Sequence, residues 1–187
     1  MSERKKLQDL EAQAGVVLSE KREDQAFLDP KAYRDAMSEI ASAVHIIATA
    51  GEAGSAGMTV TAVASVSDQP PTLLVCVNRQ LASAQRFIDN GFFSVNSLAF
   101  ADQALADVFA GRSGLHFEER FAHGQWRPGV TGAPLLASAL ATFECRLIEV
   151  KDVATHHVFI GEVLAAGRGP QAPNLLYHRR TYAKSED

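Results

Sequence analysis

The chain has 187 residues, 47% of them hydrophobic, which suits one domain with one substantial core and leaves room for a short appendage. A formal net charge of −4 offers no electrostatic footprint for nucleic acid or an anionic membrane surface. No apolar run approaches the length that spans a bilayer and the start of the chain lacks a secretory leader, so a cytoplasmic protein is expected.

Residues 1–28 differ from the rest: Leu7, Leu10, Ala14, Val17 and Leu18 recur at helical spacing, and Ser19 to Asp24 is a charge run. This reads as an amphipathic extension with a solvated connector, ahead of a domain over 29–187. A surface helix on its own domain and a helix docked on another chain both fit. Asp29-Pro30 is a helix start, with Tyr33, Met37 and Ile40 on one face of a helix reaching about Ser42. Val44 to Ala50 reads as a strand. Gly51, Gly54 and Gly57 follow at intervals of three. The segment joins two strands and opens no helix, which makes it a hairpin loop rather than a dinucleotide-binding turn.

The stretch from Gly57 to Ser83, GMTVTAVASVSDQPPTLLVCVNRQLAS, carries the densest chemical signal. Met58, Val60, Ala62, Ala64 and Val66 alternate with Thr59, Thr61, Val63, Ser65 and Ser67, predicting one strand with a core face and a small, hydroxyl-bearing face. The second face suits a planar ring, though a solvated face of an antiparallel sheet shows the same pattern. Pro70-Pro71 turns the chain into an apolar strand, Thr72 to Val77, which opens at Asn78-Arg79 toward a helix start near Ser83. Backbone N–H groups, a guanidinium and a hydroxyl at such a junction make a seat for a phosphate. A planar ring with a phosphate tail is the outline of a flavin nucleotide.

Beyond it, Ala82 to Asn90 reads as a helix closed by Gly91, Phe92 to Leu98 as a strand, and Asp102 to Ala110 as a helix closed by Gly111. Gly111 to Pro134 is irregular and holds His116, His123 and Trp126. Two long strands, Ala139 to Val150 and Thr155 to Ala166, precede a final Leu175-Leu176-Tyr177 and the basic His178-Arg179-Arg180. Strands in direct succession with helices between them predict a mainly β, antiparallel barrel with peripheral helices. Cys76 and Cys145 sit in apolar or alternating runs far apart and read as buried small hydrophobes. No spacing suits a metal, a serine elbow or a Walker loop, and His156 and His157 face opposite ways on a strand.

The same stretch resembles the signature of the short-chain flavin reductases, whose fold is an FMN-binding split barrel. AMSEIASAVHIIAT, FFSVNSL, FAGRSGLHFEERF, THHVFIGEV and LLYHRRTY resemble further family motifs, in order, over about Tyr33 to Tyr182. The likeness is strongest to the reductase component of 4-hydroxyphenylacetate 3-monooxygenase. The resemblance implies an NAD(P)H-dependent reduction of FMN or FAD, a homodimer, and delivery of reduced flavin to a separate monooxygenase of aromatic hydroxylation. The charge and the lack of a spanning segment, separately, lead us to expect no nucleic-acid and no membrane partner. Carried over by position, Thr61, Ala62, Val63 and Ser65 border the flavin ring, and Asn78, Arg79 and Ser83 hold its phosphate. Phe117 closes over it, His156 meets the nicotinamide of NADH or NADPH, and Tyr177 and Arg180 are further nucleotide contacts. Hydride transfer between stacked cofactors needs proximity rather than an acid–base pair, which agrees with the lack of one here. Ala154 departs from the glycine the family carries before its Thr-His pair. The competing reading is a non-catalytic flavin- or haem-binding barrel; an oxidase acting on pyridoxine phosphate would require a second basic phosphate site, which this stretch does not assemble.

Overall fold

A computed structural model describes residues 28–186. The amphipathic extension expected over 1–28 lies, but for Leu28, outside the described residues. Described residues up to Met37 and those from Ser38 onward form separate compact units.

Helix α1 (Pro30–Ser38), which lies in the first unit except for its last residue, starts where the sequence predicts. The Asp29 side chain accepts the Lys31 N–H (3.1 Å), and the Asp29 carbonyl accepts the N–H of Tyr33 (3.0 Å). The helix ends at Ser38 instead of near Ser42, because later pairing overrides it. The Ser38 carbonyl accepts the N–H of Arg179 (2.8 Å), and Ser42–Ala43 is drawn out as strand β1 against a distant partner.

The second unit is mainly β, and all its pairings are antiparallel. Its strands are β2 (His45–Thr49), β3 (Ala56–Val60), β4 (Val63–Asp68), β5 (Pro71–Asn78), β6 (Phe92–Ser97), β7 (Trp126–Pro128), β8 (Pro134–Leu136), β9 (Ala141–Val153), β10 (His156–Arg168), β11 (Leu175–His178) and β12 (Thr181–Lys184). Helix α2 (Ala84–Asn90) follows β5 and α3 (Gln103–Phe109) follows β6. Gly91 closes α2 in the left-handed region (φ 70°) and donates its N–H to the Phe87 carbonyl, the cap its position predicts.

The main sheet has seven strands in the order β3-β2-β6-β9-β10-β5-β4, and a three-stranded sheet, β1-β11-β12, sits beside it. The two ends of the seven-strand order, β3 and β4, are consecutive in the chain with only Thr61 and Ala62 between them. The sheet therefore curls until its first and last strands approach at that link. No helix of the described residues is long and apolar enough to cross a membrane.

Each face of this sheet carries its own core. Ile47, Val75, Val77, Phe87, Phe93, Val95 and Phe159 form one cluster, with the Phe159 ring 6.2 Å from Phe87 and 6.3 Å from Phe93. Val44, Ile46, Leu98, Leu105, Phe109 and Leu175 form the other, around α3. Neighbours on β2, Ile46 and Ile47 serve opposite clusters, which is why that strand is apolar at both phases. Gly161 permits close packing: a Cβ there would lie 2.6 Å from the Phe93 ring.

The alternation read as one strand from Met58 to Ser67 is two strands of opposite phase. Between them Thr61 and Ala62 leave the ladder, and the Val63 N–H bonds back to the Thr61 carbonyl (3.1 Å). Val63 then packs against the core, while Ala62, Ala64 and Val66, expected inside, are exposed. A bulge between Ser65 and Ser67 accommodates Val66. The glycine segment is a hairpin loop, as expected, joining β2 to β3. The Asn90 side chain clamps it: its oxygen accepts the Ala53 N–H (3.1 Å) and its nitrogen donates to the Gly54 carbonyl (3.0 Å). Gly57, however, is inside β3, where a Cβ would meet the Phe109 ring at 2.6 Å.

Candidate active site

Where β3 breaks before β4, a cleft of about 330 Å³ opens. Part of its lining is borne by the main sheet: Met58 to Ala62, Cys76 to Asn78 at the end of β5, and His156 at the start of β10. The register explains the convergence, because Asn78 and His156 are direct cross-strand partners. The rest comes from elsewhere in the chain: Val44, Leu81 after β5, Ala110 and Arg112 after α3, Tyr177 on β11 and Tyr182 on β12. Tyr177 and Tyr182 are likewise cross-strand partners, with rings edge to face at 5.6 Å. The hairpin that sets them opposite turns on Arg179 and Arg180, both left-handed (φ 49° and 63°). Such a turn ordinarily selects Asn and Gly. Arg179 is braced by Glu39 at 2.8 Å.

Of the residues expected at the site, Thr61, Ala62, Asn78, His156 and Tyr177 line this cleft. The others go elsewhere. Val63 faces the core, a consequence of the inverted phase after the break, and Ser65 is exposed on β4. The three residues expected to hold the phosphate sit in different surroundings. Asn78 stays in the cleft and its oxygen accepts the Gln80 N–H (3.0 Å). Arg79 is drawn to the β9–β10 hairpin, its guanidinium 3.6 Å from Asp152 and 3.5 Å from the Ala154 carbonyl, and its backbone N–H bonds to Thr155 (3.1 Å). Arg79 thus steadies the hairpin that carries His156. Ser83 is buried at the start of α2 and makes no side-chain capping bond.

Phe117 is not over the cleft. Its ring packs against the core beside two guanidinium groups, Arg86 at 5.1 Å and Arg120 at 5.7 Å. Arg120 in turn donates to the carbonyls of Gly57 (3.3 Å) and Phe109 (3.4 Å), pinning the irregular segment to the body. Arg180 is exposed at its turn and outside the cleft lining. Cys145 is buried as expected, and its thiol is pushed up to about 12 by burial and the neighbouring Glu144. Cys76 is half-buried and lines the cleft: β5 alternates, so with Val75 and Val77 inside, residue 76 faces the other way.

His156 and His157 do face opposite ways. His156 Nδ1 lies 2.9 Å from the Thr155 hydroxyl, while His157 Nδ1 lies 2.6 Å from Asp152 and its ring stacks on Phe159 at 6.0 Å. His45, next to cleft-lining Val44, bonds Ser97 through Nδ1 (2.9 Å), and burial pulls its imidazole down to about 4. Tyr182 donates its hydroxyl to Asp107 (3.1 Å), and burial, then the Asp107 charge, raises its phenol. Among the described residues no group of three or more His, Cys, Asp or Glu side chains is placed to hold a metal ion.

Arg112, Tyr182 and Cys76 are lining residues that reading the sequence missed. Tyr182 was within reach: once Arg179-Arg180 is taken as a two-residue turn, Tyr182 falls opposite Tyr177. The composition of the lining suits a flat heterocycle with an anionic tail. Apolar and aromatic groups (Met58, Val60, Tyr177, Tyr182) offer ring contacts, and Thr61, Asn78 and Arg112 offer polar and donor groups.

A model of the flavin reductase like domain matches residues 37–186. The FMN reductase (NADH) RutF of Methylorubrum populi is 47% identical over 155 residues, covering 83% of this chain and 76% of that protein. Among solved structures, BorF, the flavin reductase component of a bacterial two-component tryptophan halogenase, is 33% identical with a TM-score of 0.79, covering 85% of this chain and 99% of BorF. The Streptomyces globisporus NADH:FAD oxidoreductase SgcE6, solved with NAD and FAD fragments, is 28% identical with a TM-score of 0.77, covering 87% and 98% of the two chains. With residues 37–186 matched by the domain model and an FMN reductase 47% identical over 155 residues, the chain belongs to the flavin reductase-like family.

Proposed function

We propose that the protein is an NADH-dependent flavin reductase, taking FMN or FAD in the cleft at the β3–β4 link. The observation that carries this reading is the convergence of Thr61, Asn78 and His156 on one cleft in a chain of this family. The flavin supplies the chemistry, accepting a hydride from the nicotinamide. The protein binds and orients. Thr61 and Ala62 border the ring, and Asn78, with a side-chain N–H₂ to donate, meets the polar tail. His156 presents its Nε2 edge to the nicotinamide while the Thr155 hydroxyl holds Nδ1. Cys76, Val60 and the tyrosine pair keep the cleft largely apolar, which suits it to the face of a flat ring.

The reduced flavin then passes to a separate monooxygenase acting on aromatic substrates. BorF, itself the reductase component of a two-component system, supports this reading. The curled sheet is of the split-barrel type and works as a homodimer, with residues 29–187 as the catalytic domain, 1–28 as its extension, and the cytoplasm, where NADH is drawn on, as its place of work. The test is NADH oxidation by the purified chain with and without FMN or FAD. Flavin-stimulated turnover is expected. Tight flavin binding without NADH consumption would instead establish a non-catalytic carrier.

A further inference from the structure

We propose that Arg112 receives a nucleotide phosphate in the cleft, with Asp107 and Tyr182 as its positioning residues. The inference rests on the flavin reductase reading and adds to it an anion site outside the Asn78–Ser83 junction. Among the residues lining the cleft, Arg112 is the one permanent charge, and no carboxylate lines the cleft with it. Elsewhere at the site, Arg79 lies 3.6 Å from Asp152 on the β9–β10 hairpin and Ser83 is buried, which leaves Asn78 as the polar residue of that junction lining the cleft.

The guanidinium is held in place before any ligand arrives. Its Nη1 donates to Asp107 Oδ1 (2.6 Å), the same oxygen that accepts the Tyr182 hydroxyl (3.1 Å). The Arg112 backbone N–H also bonds the Asp107 carbonyl (3.2 Å), and the guanidinium carbon lies 5.8 Å from the centre of the Tyr182 ring. Asp107 engages one of five N–H donors, and the side chain is 57% exposed. A planar fork fixed at one corner and open at the others is the geometry that takes a phosphate in bidentate fashion. A lone surface arginine would give up more rotamer freedom on binding. Two classes of nucleotide bring this chemistry to the cleft: the flavin, through the 5′-phosphate of FMN or the pyrophosphate of FAD, and NADH, through its pyrophosphate.

Steady-state kinetics on the full chain separate them, using riboflavin as the flavin without phosphate. Arg112→Ala is expected to raise one Michaelis constant by about tenfold or more, the value of one lost charged hydrogen bond, with kcat changed less than about twofold. Arg112→Lys should recover part of the loss. If the anion is the flavin phosphate, any preference for FMN over riboflavin collapses and the constant for NADH stays. If it is the NADH pyrophosphate, the constant for NADH rises with either flavin and the FMN-to-riboflavin ratio stays. Tyr182→Phe and Asp107→Asn should raise the same constant by smaller factors, and add little to Arg112→Ala. Unchanged constants for both FMN and NADH overturn the proposal. So does an equal loss with FMN and riboflavin at an unchanged constant for NADH. Should the wild-type chain oxidise no NADH with any flavin, the reductase reading fails. Binding titrations with FMN, riboflavin and NADH then still decide Arg112: a selective loss of FMN affinity or a loss of NADH affinity in Arg112→Ala upholds it, and affinities for FMN and NADH both equal to the wild type's overturn it.

Discussion

The two parts of the cleft lining are fixed by different means. Asn78 and His156 face each other because β5 and β10 pair residue by residue, and the register continues through Phe159 opposite Val75 into a fully buried core. Arg112 and Tyr182 meet through one carboxylate, Asp107, and a ring contact. The sheet-borne part is therefore as stable as the fold itself. The other part can be altered by changing one side-chain contact while the sheet stays intact.

The strongest way to break that contrast is to empty the core under the sheet-borne part. Phe159→Ala removes a ring at 0% exposure that touches both Phe87 and Phe93, and is expected to cost about 3–5 kcal/mol of stability. Tyr182→Phe removes one half-buried hydroxyl bond and should cost only about 1 kcal/mol. Urea denaturation of both variants measures the difference. If the two costs come out similar, the contrast between the two parts is lost.

A second effect acts where the two parts adjoin. His45 pairs across strands with Val60 of the lining and is neutral in the folded chain, its pKa pulled down to about 4 by burial. In the unfolded chain the imidazole binds a proton from about pH 6.5 downward, whereas the folded chain resists until about pH 4. The unfolded state thus holds more protons in that window, and stability falls as pH drops through it, by on the order of 3 kcal/mol. His45→Gln keeps a hydrogen-bonding group beside Ser97 but cannot titrate. Its loss of stability between pH 6.5 and pH 4 should be smaller than the wild type's by that amount, with the carboxylates common to both cancelling. Parallel curves for the two proteins would mean that His45 is solvated.

The sheet-borne part was largely legible in the sequence and the other was not, for the same physical reason. Strand β5 announces itself by an apolar run bounded by prolines and Asn78, and α2 by Gly91. Such signals are local, and the motifs around them carried the family resemblance as well. The break at Thr61–Ala62 has no local signal, because small and β-branched residues continue the alternation straight across it. Only pairing with distant strands, β2 for β3 and β5 for β4, inverts the phase and turns Val63 toward the core. Arg112 was invisible for a similar reason, since its loop reaches the cleft only through bonds between α3 and β12. Phe117 looked like a lid because an aromatic ring in a charged loop invites that role. What decides its place is the pair of arginines beside it, Arg86 and Arg120, which come from different parts of the chain.

Within the sheet-borne part, His156→Ala should raise the Michaelis constant for NADH about tenfold, the value of one hydrogen bond to a polar cofactor edge. The constant for FMN should move much less, because Asn78 and Thr61 stay. Steady-state titration of each substrate at saturating levels of the other checks this. An unmoved constant for NADH would remove His156 from nicotinamide binding while leaving the flavin contacts intact.

The smallest effect is expected at the turn that carries His156. Val153 and His156 pair across two residues, and Ala154 holds φ at 50°, in the left-handed region that disfavours any side chain with a Cβ. A glycine at this position would be free of that cost, about 1–2 kcal/mol, but loses more backbone entropy on folding, about 0.5–1 kcal/mol. The steric term is the larger, so Ala154→Gly should stabilise the chain by up to about 1 kcal/mol. That corresponds to a rise of a few degrees in Tm for a domain of this size. Arg79 bonds the Ala154 carbonyl and the Thr155 backbone, which holds the hairpin in either variant. The constant for NADH should therefore stay within about twofold of the wild-type value. A large gain in NADH binding without a change in Tm would instead make the Ala154 methyl group an obstacle to the nicotinamide rather than a source of backbone strain.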